Sequence, residues 1–183
     1  MEDSLYGDFS QDEKYNWLKA GVDVDTDYEK LEDLTNNSIT PEQFTSWNKF
    51  TDATFDDSDM KSWNKLKVKD PSVAHILMSE YEVNREDLEG DLESYIDAGI
   101  LNPAEIPNWL ESGFKINSID SSDNLDMKKW LDQEFTLDEA IDWVQAGYTF
   151  GEAAKFTEMG YTSPDEIEIN DYEIDDENLM MEL

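Results

Sequence analysis

Apolar side chains recur along this chain at helical spacing, in short blocks separated by polar turns. The pattern is most regular between Trp130 and Tyr161. There the sequence reads WLDQEFTLDEAID, WVQAGYTFGEAAK and FTEMGYTSPDEIE, three tandem units of thirteen residues. Each opens on an aromatic (Trp130, Trp143, Phe156), carries another five positions on (Phe135, Tyr148, Tyr161) and a threonine one further (Thr136, Thr149, Thr162). Thr136 and Thr149 precede Glu139 and Glu152 by three residues, the capping box in which hydroxyl and carboxylate satisfy each other's backbone donors at a helix start. Gly147 and Gly160 stand where the helix should stop, because glycine enters the left-handed cap conformation at little cost. Leu137, Ala140, Ile141 and Val144 give one apolar stripe, repeated by Phe150, Ala153 and Ala154 in the next unit.

The same ending, aromatic, apolar, two variable residues, Gly, apolar, recurs at Trp17–Val22, Tyr95–Ile100 and Trp109–Phe114; at Trp130–Phe135, Glu134 takes the glycine position. Capping boxes open at Ser10, Thr26 and Thr40, and Asp70, Asn102 and Ser163 each precede a proline suited to the first helical position. These signals predict helices at about 11–20, 27–34, 41–50, 58–67, 71–82, 85–98, 103–112, 124–132, 137–146, 150–159 and 164–172, with Pro107 an alternative start for the seventh. Hairpin chemistry is missing, so little or no sheet is expected. The fold class is all-α: an array of about ten short helices with glycine C-caps, thirteen-residue helix–turn repeats in the C-terminal part, and an elongated shape if the units stack. SWNKF (Ser46–Phe50) and SWNKL (Ser62–Leu66) suggest a second duplication. The division reads as an N-terminal lobe at 1–82 and a repeat lobe at 83–183, with one continuous domain as the alternative.

Charge changes this picture. The 183 residues include 46 acids and 13 bases, a formal net of -33, yet 12% are aromatic and six are Trp, which separates the chain from disordered acidic tails. The net charge is -12 over residues 1–60, -6 over 61–120 and -15 over 121–183, and no base follows Lys155. Four lysines, Lys61, Lys65, Lys67 and Lys69, make the middle the least negative zone. Twelve Lys to one Arg is not the lysine-poor composition of a salt-adapted proteome. The chain has no cysteine, which excludes disulfides and thiolate chemistry. With no signal-like or membrane-length apolar run, it reads as cytoplasmic, in the host cytoplasm if phage-encoded.

Candidate chemistry is sparse. The lone His75 lies among apolar residues and reads as a packed helix residue before a general base. No nucleophile elbow, phosphate loop or zinc-protease motif is present, and carboxylates are too common for spacing to single out an acid/base pair, so a non-enzyme is expected. Asp23, Asp25 and Asp27 resemble the opening of a calcium loop, with Asp120, Asp123 and Asp126 a weaker echo. The first has Tyr28 and Leu34 where the template needs Gly and Glu, and helix capping by Asp25 or Thr26, and by Asp123 or Asn124, accounts better for both. Neither a metal nor a cofactor is expected. Direct nucleic-acid binding is disfavoured because the aromatics sit at core positions and phosphates need cations.

What remains is the acidic surface. With the apolar stripes turned inward, Asp138, Glu139, Asp142, Glu152, Glu158, Asp165, Glu166 and Glu168 face water, followed by Asp171, Glu173, Asp175 and Asp176. Ordinary helix surfaces mix Glu with Lys one turn apart, and here the bases are missing. Duplex DNA carries one charge per about 1.7 Å of axis, so 33 net charges correspond to roughly 56 Å of duplex. In acidity and size the protein resembles the DNA-mimic inhibitors of phages and mobile elements: anti-restriction proteins, anti-CRISPR proteins and inhibitors of repair glycosylases. That class is united by acidity, not by a motif. The resemblance implies a stoichiometric inhibitor that occupies the nucleic-acid site of a basic partner, a nucleic-acid-binding protein or nucleoprotein complex, most plausibly a host defence nuclease such as a CRISPR effector or restriction enzyme. The alternative is a helical-repeat adaptor for protein–protein interaction without enzymatic activity. On the capping reading of Asp23–Asp27, the melting temperature should not move in millimolar calcium; a rise of several degrees would revive the calcium loop.

Overall fold

The computed structural model describes residues 9–23, 25–118 and 123–167. Among them are eleven α-helices: α1 (Gln11–Ala20), α2 (Tyr28–Asn36), α3 (Pro41–Lys49), α4 (Asp57–Lys65), α5 (Pro71–Glu80), α6 (Arg85–Asp91), α7 (Glu93–Ala98), α8 (Ile106–Glu111), α9 (Met127–Leu131), α10 (Leu137–Gln145) and α11 (Phe150–Glu158). The protein is all-α, and its extended pairing among the described residues is one isolated bridge between Lys115 and Asp126.

Helices of five to ten residues are too short to persist alone in water, so caps and packing must hold them. Complete capping boxes start α1, α3, α4, α6, α10 and α11. In α10, Thr136 N–H donates to Glu139 Oε2 at 2.8 Å while Glu139 N–H donates to Thr136 Oγ1 at 3.4 Å.

The helix ends share one geometry. At eight places the amide five residues past an aromatic or leucine donates to that residue's carbonyl, at 2.9–3.1 Å: Val22 to Trp17, Ile39 to Leu34, Val68 to Trp63, Ile100 to Tyr95, Phe114 to Trp109, Phe135 to Trp130, Tyr148 to Trp143 and Tyr161 to Phe156. Each closure needs the residue just before the donor to be left-handed. Gly21, Gly99, Gly113, Gly147 and Gly160 fill that position at φ 76–97°, and Ser38, Lys67 and Glu134 fill it at φ 57–59°. The closure folds the residue after the turn back onto the helix. Trp109–Phe114, Trp130–Phe135, Trp143–Tyr148 and Phe156–Tyr161 therefore meet edge-on, with centroids 4.8–5.9 Å apart. These pairs touch one another through Phe114 against Trp130 at 6.3 Å and a parallel stack of Trp143 on Phe156 at 6.0 Å.

All six tryptophans are buried, and the buried residues form one cluster running from Trp17 to Ala153. Truncating such a residue to alanine costs about 3–5 kcal/mol, several times any single cap. No charged or polar residue is buried among those described. α1 packs on α3, α5 on α8 and α10 on α11.

Several expected boundaries differ. The helix read at 85–98 is two, broken at Leu92, two residues after Gly90, whose interior placement weakens the first. The one read at 103–112 is a 3-10 turn at Pro103–Glu105 followed by α8, with Pro107 in its first turn. The one read at 124–132 begins at Met127, capped by Asp126. α2 is not capped from Asp25 or Thr26. Asp27 occupies the cap position but makes no side-chain cap bond, because its carboxylate accepts from Asp23 N–H at 3.1 Å. The helix read at 164–172 is helical at 165–167, where the described residues end.

Glu134→Gly should raise the free energy of unfolding by roughly 0.5–1 kcal/mol, since the left-handed turn strains any side chain, while Gly147→Ala should lower it by about 1 kcal/mol. No atom lies within 4 Å of a Cβ built on Gly147, so urea denaturation of these variants reads backbone strain without a steric clash. A Gly147→Ala variant as stable as the parent would overturn the cap account.

Candidate acidic interface

The candidate acids come from the polar faces of α10, α11 and the turn beyond. Asp138, Glu139, Asp142, Glu152, Glu158 and Asp165 are exposed and Glu166 is half-buried. Glu168, Asp171, Glu173, Asp175 and Asp176 lie outside the described residues. Three of the seven described acids have structural duties. Glu139 and Glu152 close the capping boxes of α10 and α11. Glu166 does the same one residue late: Thr162 N–H donates to its Oε2 at 2.7 Å and Thr162 Oγ1 to its Oε1 at 2.9 Å, because Ser163-Pro164 shifts the spacing from three to four. The Thr149 amide and hydroxyl hold the Glu152 carboxyl below its ordinary pKa, and the Thr162 amide and hydroxyl do so for Glu166. Asp138, Asp142, Glu158 and Asp165 have no such duty. Asp138 and Asp142 stand one turn apart on α10, a like-charge pair that costs a few tenths of a kcal/mol.

Ion pairs are distributed unevenly. Among the described residues they join Lys30 to Asp57, Lys61 to Asp33, Lys67 to Asp97, Arg85 to Glu86 and Glu89, Lys115 to Asp123 and Lys128 to Asp91, at 2.6–3.5 Å. Every partner lies between residues 30 and 128, and none of the seven candidate acids takes part. Some acids between residues 30 and 128 are answered locally, whereas the described acids after Lys129 take part in none of these pairs.

Asp132 and Glu134 extend this array toward the N-terminus. Both are exposed. Asp132 accepts a hydrogen bond from Tyr95 Oη, whose pKa is pushed up to about 12 by burial and then by this carboxylate. Glu134 was visible in the sequence as the acid replacing a cap glycine.

The calcium-like stretches are braced internally. Asp25 N–H donates to Asp23 Oδ1 at 3.0 Å. Asp123 accepts from Lys115 Nζ at 2.6 Å, Ser118 Oγ at 2.8 Å and Leu125 N–H at 2.9 Å, and these bonds, Lys115 first, hold its carboxyl far below the usual range. Neither Asp123 nor Asn124 caps α9. Asn124 Oδ1 accepts from Phe150 N–H, its Nδ2 donates to Tyr148 O at 3.1 Å, and its carbonyl receives Trp130 Nε1 at 2.8 Å, which ties α9 to the turn between α10 and α11. Among the described residues no cluster of three or more His, Cys, Asp or Glu could hold a metal ion, and no helix is long and apolar enough to cross a membrane.

His75 packs edge-on against Phe50 at 5.6 Å. It shares a cavity of about 310 Å³ with Asp59, Trp63 and Arg85. Asp59 closes the capping box of α4, and Arg85 pairs with Glu86 and Glu89. No protein-family model matches the sequence, and no curated protein or solved structure matches it either.

Thr149→Ala should cost about 1 kcal/mol and let the Glu152 pKa rise toward 4.5. Because the folded carboxyl is depressed, its stabilisation is present above the ordinary pKa and lost as pH falls through the folded value. The variant should lack that part of the acid limb, as read by urea melts from pH 7 to pH 3 and by NMR titration of Glu152.

Proposed function

We propose that this protein is an acidic DNA mimic that inhibits a basic nucleic-acid-binding enzyme, most plausibly a host defence nuclease, by occupying its nucleic-acid site. The observation that carries the reading is the bare acidic array. Residues 130–167 hold nine acids and one base, Lys155, and no ion pair among the described residues involves any of the nine. A surface shaped only for solubility would mix signs, as the middle third of this chain comes nearest to doing. Here the units beginning at Trp130, Trp143 and Phe156 act as a helix–turn repeat with a rigid aromatic interior, and stacking them presents carboxylates at regular intervals along an elongated face. Asp138, Asp142, Glu158 and Asp165 take the place of phosphates against the partner's lysines and arginines. Glu139, Glu152 and Glu166 add charge while capping the helices that carry them. Long-range steering speeds encounter and weakens with salt.

A second reading, a protein-interaction adaptor, is favoured by one observation: Tyr15 and Leu18, one turn apart on α1, are 65% and 58% exposed. The two readings part on charge reversal. Against purified restriction and CRISPR effector nucleases, the protein should displace duplex DNA at roughly 50 mM salt and lose most of that affinity by about 500 mM. Asp138→Lys combined with Asp142→Lys should weaken displacement at least tenfold at unchanged fold. Absence of competition at low salt would sink the mimic reading, and binding that ignores the reversal but fails in Leu18→Ser would favour the adaptor.

A further inference from the structure

A groove of about 870 Å³ lies where the C-terminal ends of α2, α4 and α7 converge, and it gathers Lys61, Lys65, Lys67 and Lys69. No Asp or Glu is among its lining residues, although 46 of the 183 residues are acidic. Two of the lysines serve the fold. Lys61 Nζ pairs with Asp33 at 2.6 Å; Lys67 Nζ pairs with Asp97 at 3.1 Å and donates to Ile96 O at 3.0 Å, answering the carbonyl end of α7. Lys65 and Lys69 are exposed, and their ammonium groups have no partner among the described residues. The groove also offers amide donors. Asn102 Oδ1 accepts from Ala104 N–H at 3.2 Å, leaving its NH2 free to donate, and the Asn36 carboxamide is exposed. Ile96, Leu101 and Pro103 supply apolar lining beneath these polar groups. Ser38 and Lys67, the left-handed residues that end α2 and α4, also line it.

We propose that this groove is a docking site for an extended acidic segment of a partner protein. Lys65 and Lys69 pair with the segment's carboxylates, the asparagine amides meet its backbone carbonyls, and the apolar lining takes an intervening side chain. A lone phosphate would use the lysines and leave most of the groove empty. The net charge of -33 does not forbid an acidic ligand, because charges beyond about 8 Å are screened at physiological salt and the nearby Asp33 and Asp97 are already paired. The proposal does not rest on DNA mimicry and concerns the opposite charge on a different part of the surface.

The test is fluorescence polarisation of the full chain with a dye-labelled peptide of alternating Glu and Leu at low salt. Saturable binding is expected, weakened about five- to tenfold in a Lys65→Gln, Lys69→Gln double variant whose melting temperature is unchanged. Asp138→Lys with Asp142→Lys should not weaken it, and the lysine variant should still displace DNA from a nuclease, which separates this site from the acidic array. Absence of peptide binding, or binding indifferent to the two lysines, would overturn the proposal. Tripolyphosphate bound through the same lysines without any peptide binding would overturn it in favour of a phosphate site.

Discussion

The hydrogen bond from the amide five residues past each buried aromatic or leucine to that residue's carbonyl, made possible by one left-handed residue between them, sets where eight helix ends stop and where the chain turns next. Everything else builds on it. A helix of about nine residues cannot sustain itself, and its last carbonyls would be orphaned if it ended in the interior. The closure satisfies one of them, the amide of the left-handed residue satisfies another, and the turn brings the following apolar residue against the helix it has just left. Between Trp109 and Tyr161 that contact becomes an aromatic pair, and neighbouring pairs touch through Phe114 on Trp130 and Trp143 on Phe156. The helices are therefore held at both ends, by threonine and glutamate at the start and by glycine and an aromatic at the finish.

This arrangement explains how the chain tolerates so many uncompensated acids. Self-repulsion opposes compactness, but it acts in high dielectric between solvated groups and is screened within about a Debye length. Six buried tryptophans act without screening. Several acids also stabilise what they repel, since Glu139, Glu152 and Glu166 place negative charge at helix starts, where the dipole favours it. Display of charge and closure of the fold thus use some of the same carboxylates.

The two unusual surfaces are opposite in kind. After Lys129 the described acids stand without basic partners, and in the middle of the chain four lysines line a groove free of acids. Ion pairing between residues 30 and 128 keeps the latter from being neutralised outright, because Asp33 and Asp97 are answered by Lys61 and Lys67 while Lys65 and Lys69 are left over. The charge runs were legible in the sequence; their segregation into two differently made surfaces was not.

The starts of α1, α3, α10 and α11 and the turns at Gly21, Gly147 and Gly160 were readable from the chain alone, because a cap depends on residues three to five positions apart. The acids of α10 and α11 could be placed on the solvent side for the same local reason. Reading failed where another group competes for the expected partner or where no residue type marks the turn. Asp27 accepts from Asp23 and leaves α2 without a side-chain cap, Asn124 serves the distant Phe150 and Tyr148 instead of opening α9, and Ser38 and Lys67 take left-handed turns that no glycine announces. The lysine groove belongs to the same category: Asn64 reaches Asn37 across 27 positions and Lys67 reaches Ile96 across 29, and only packing brings three helix ends together there. The sequence by itself determined where helices begin, where most of them end and which faces are charged, because those are short-range hydrogen-bond and patterning problems. The tertiary structure decided which side chains leave their local partners and which helix ends meet, because those depend on contacts whose free energy exists only once the core has formed.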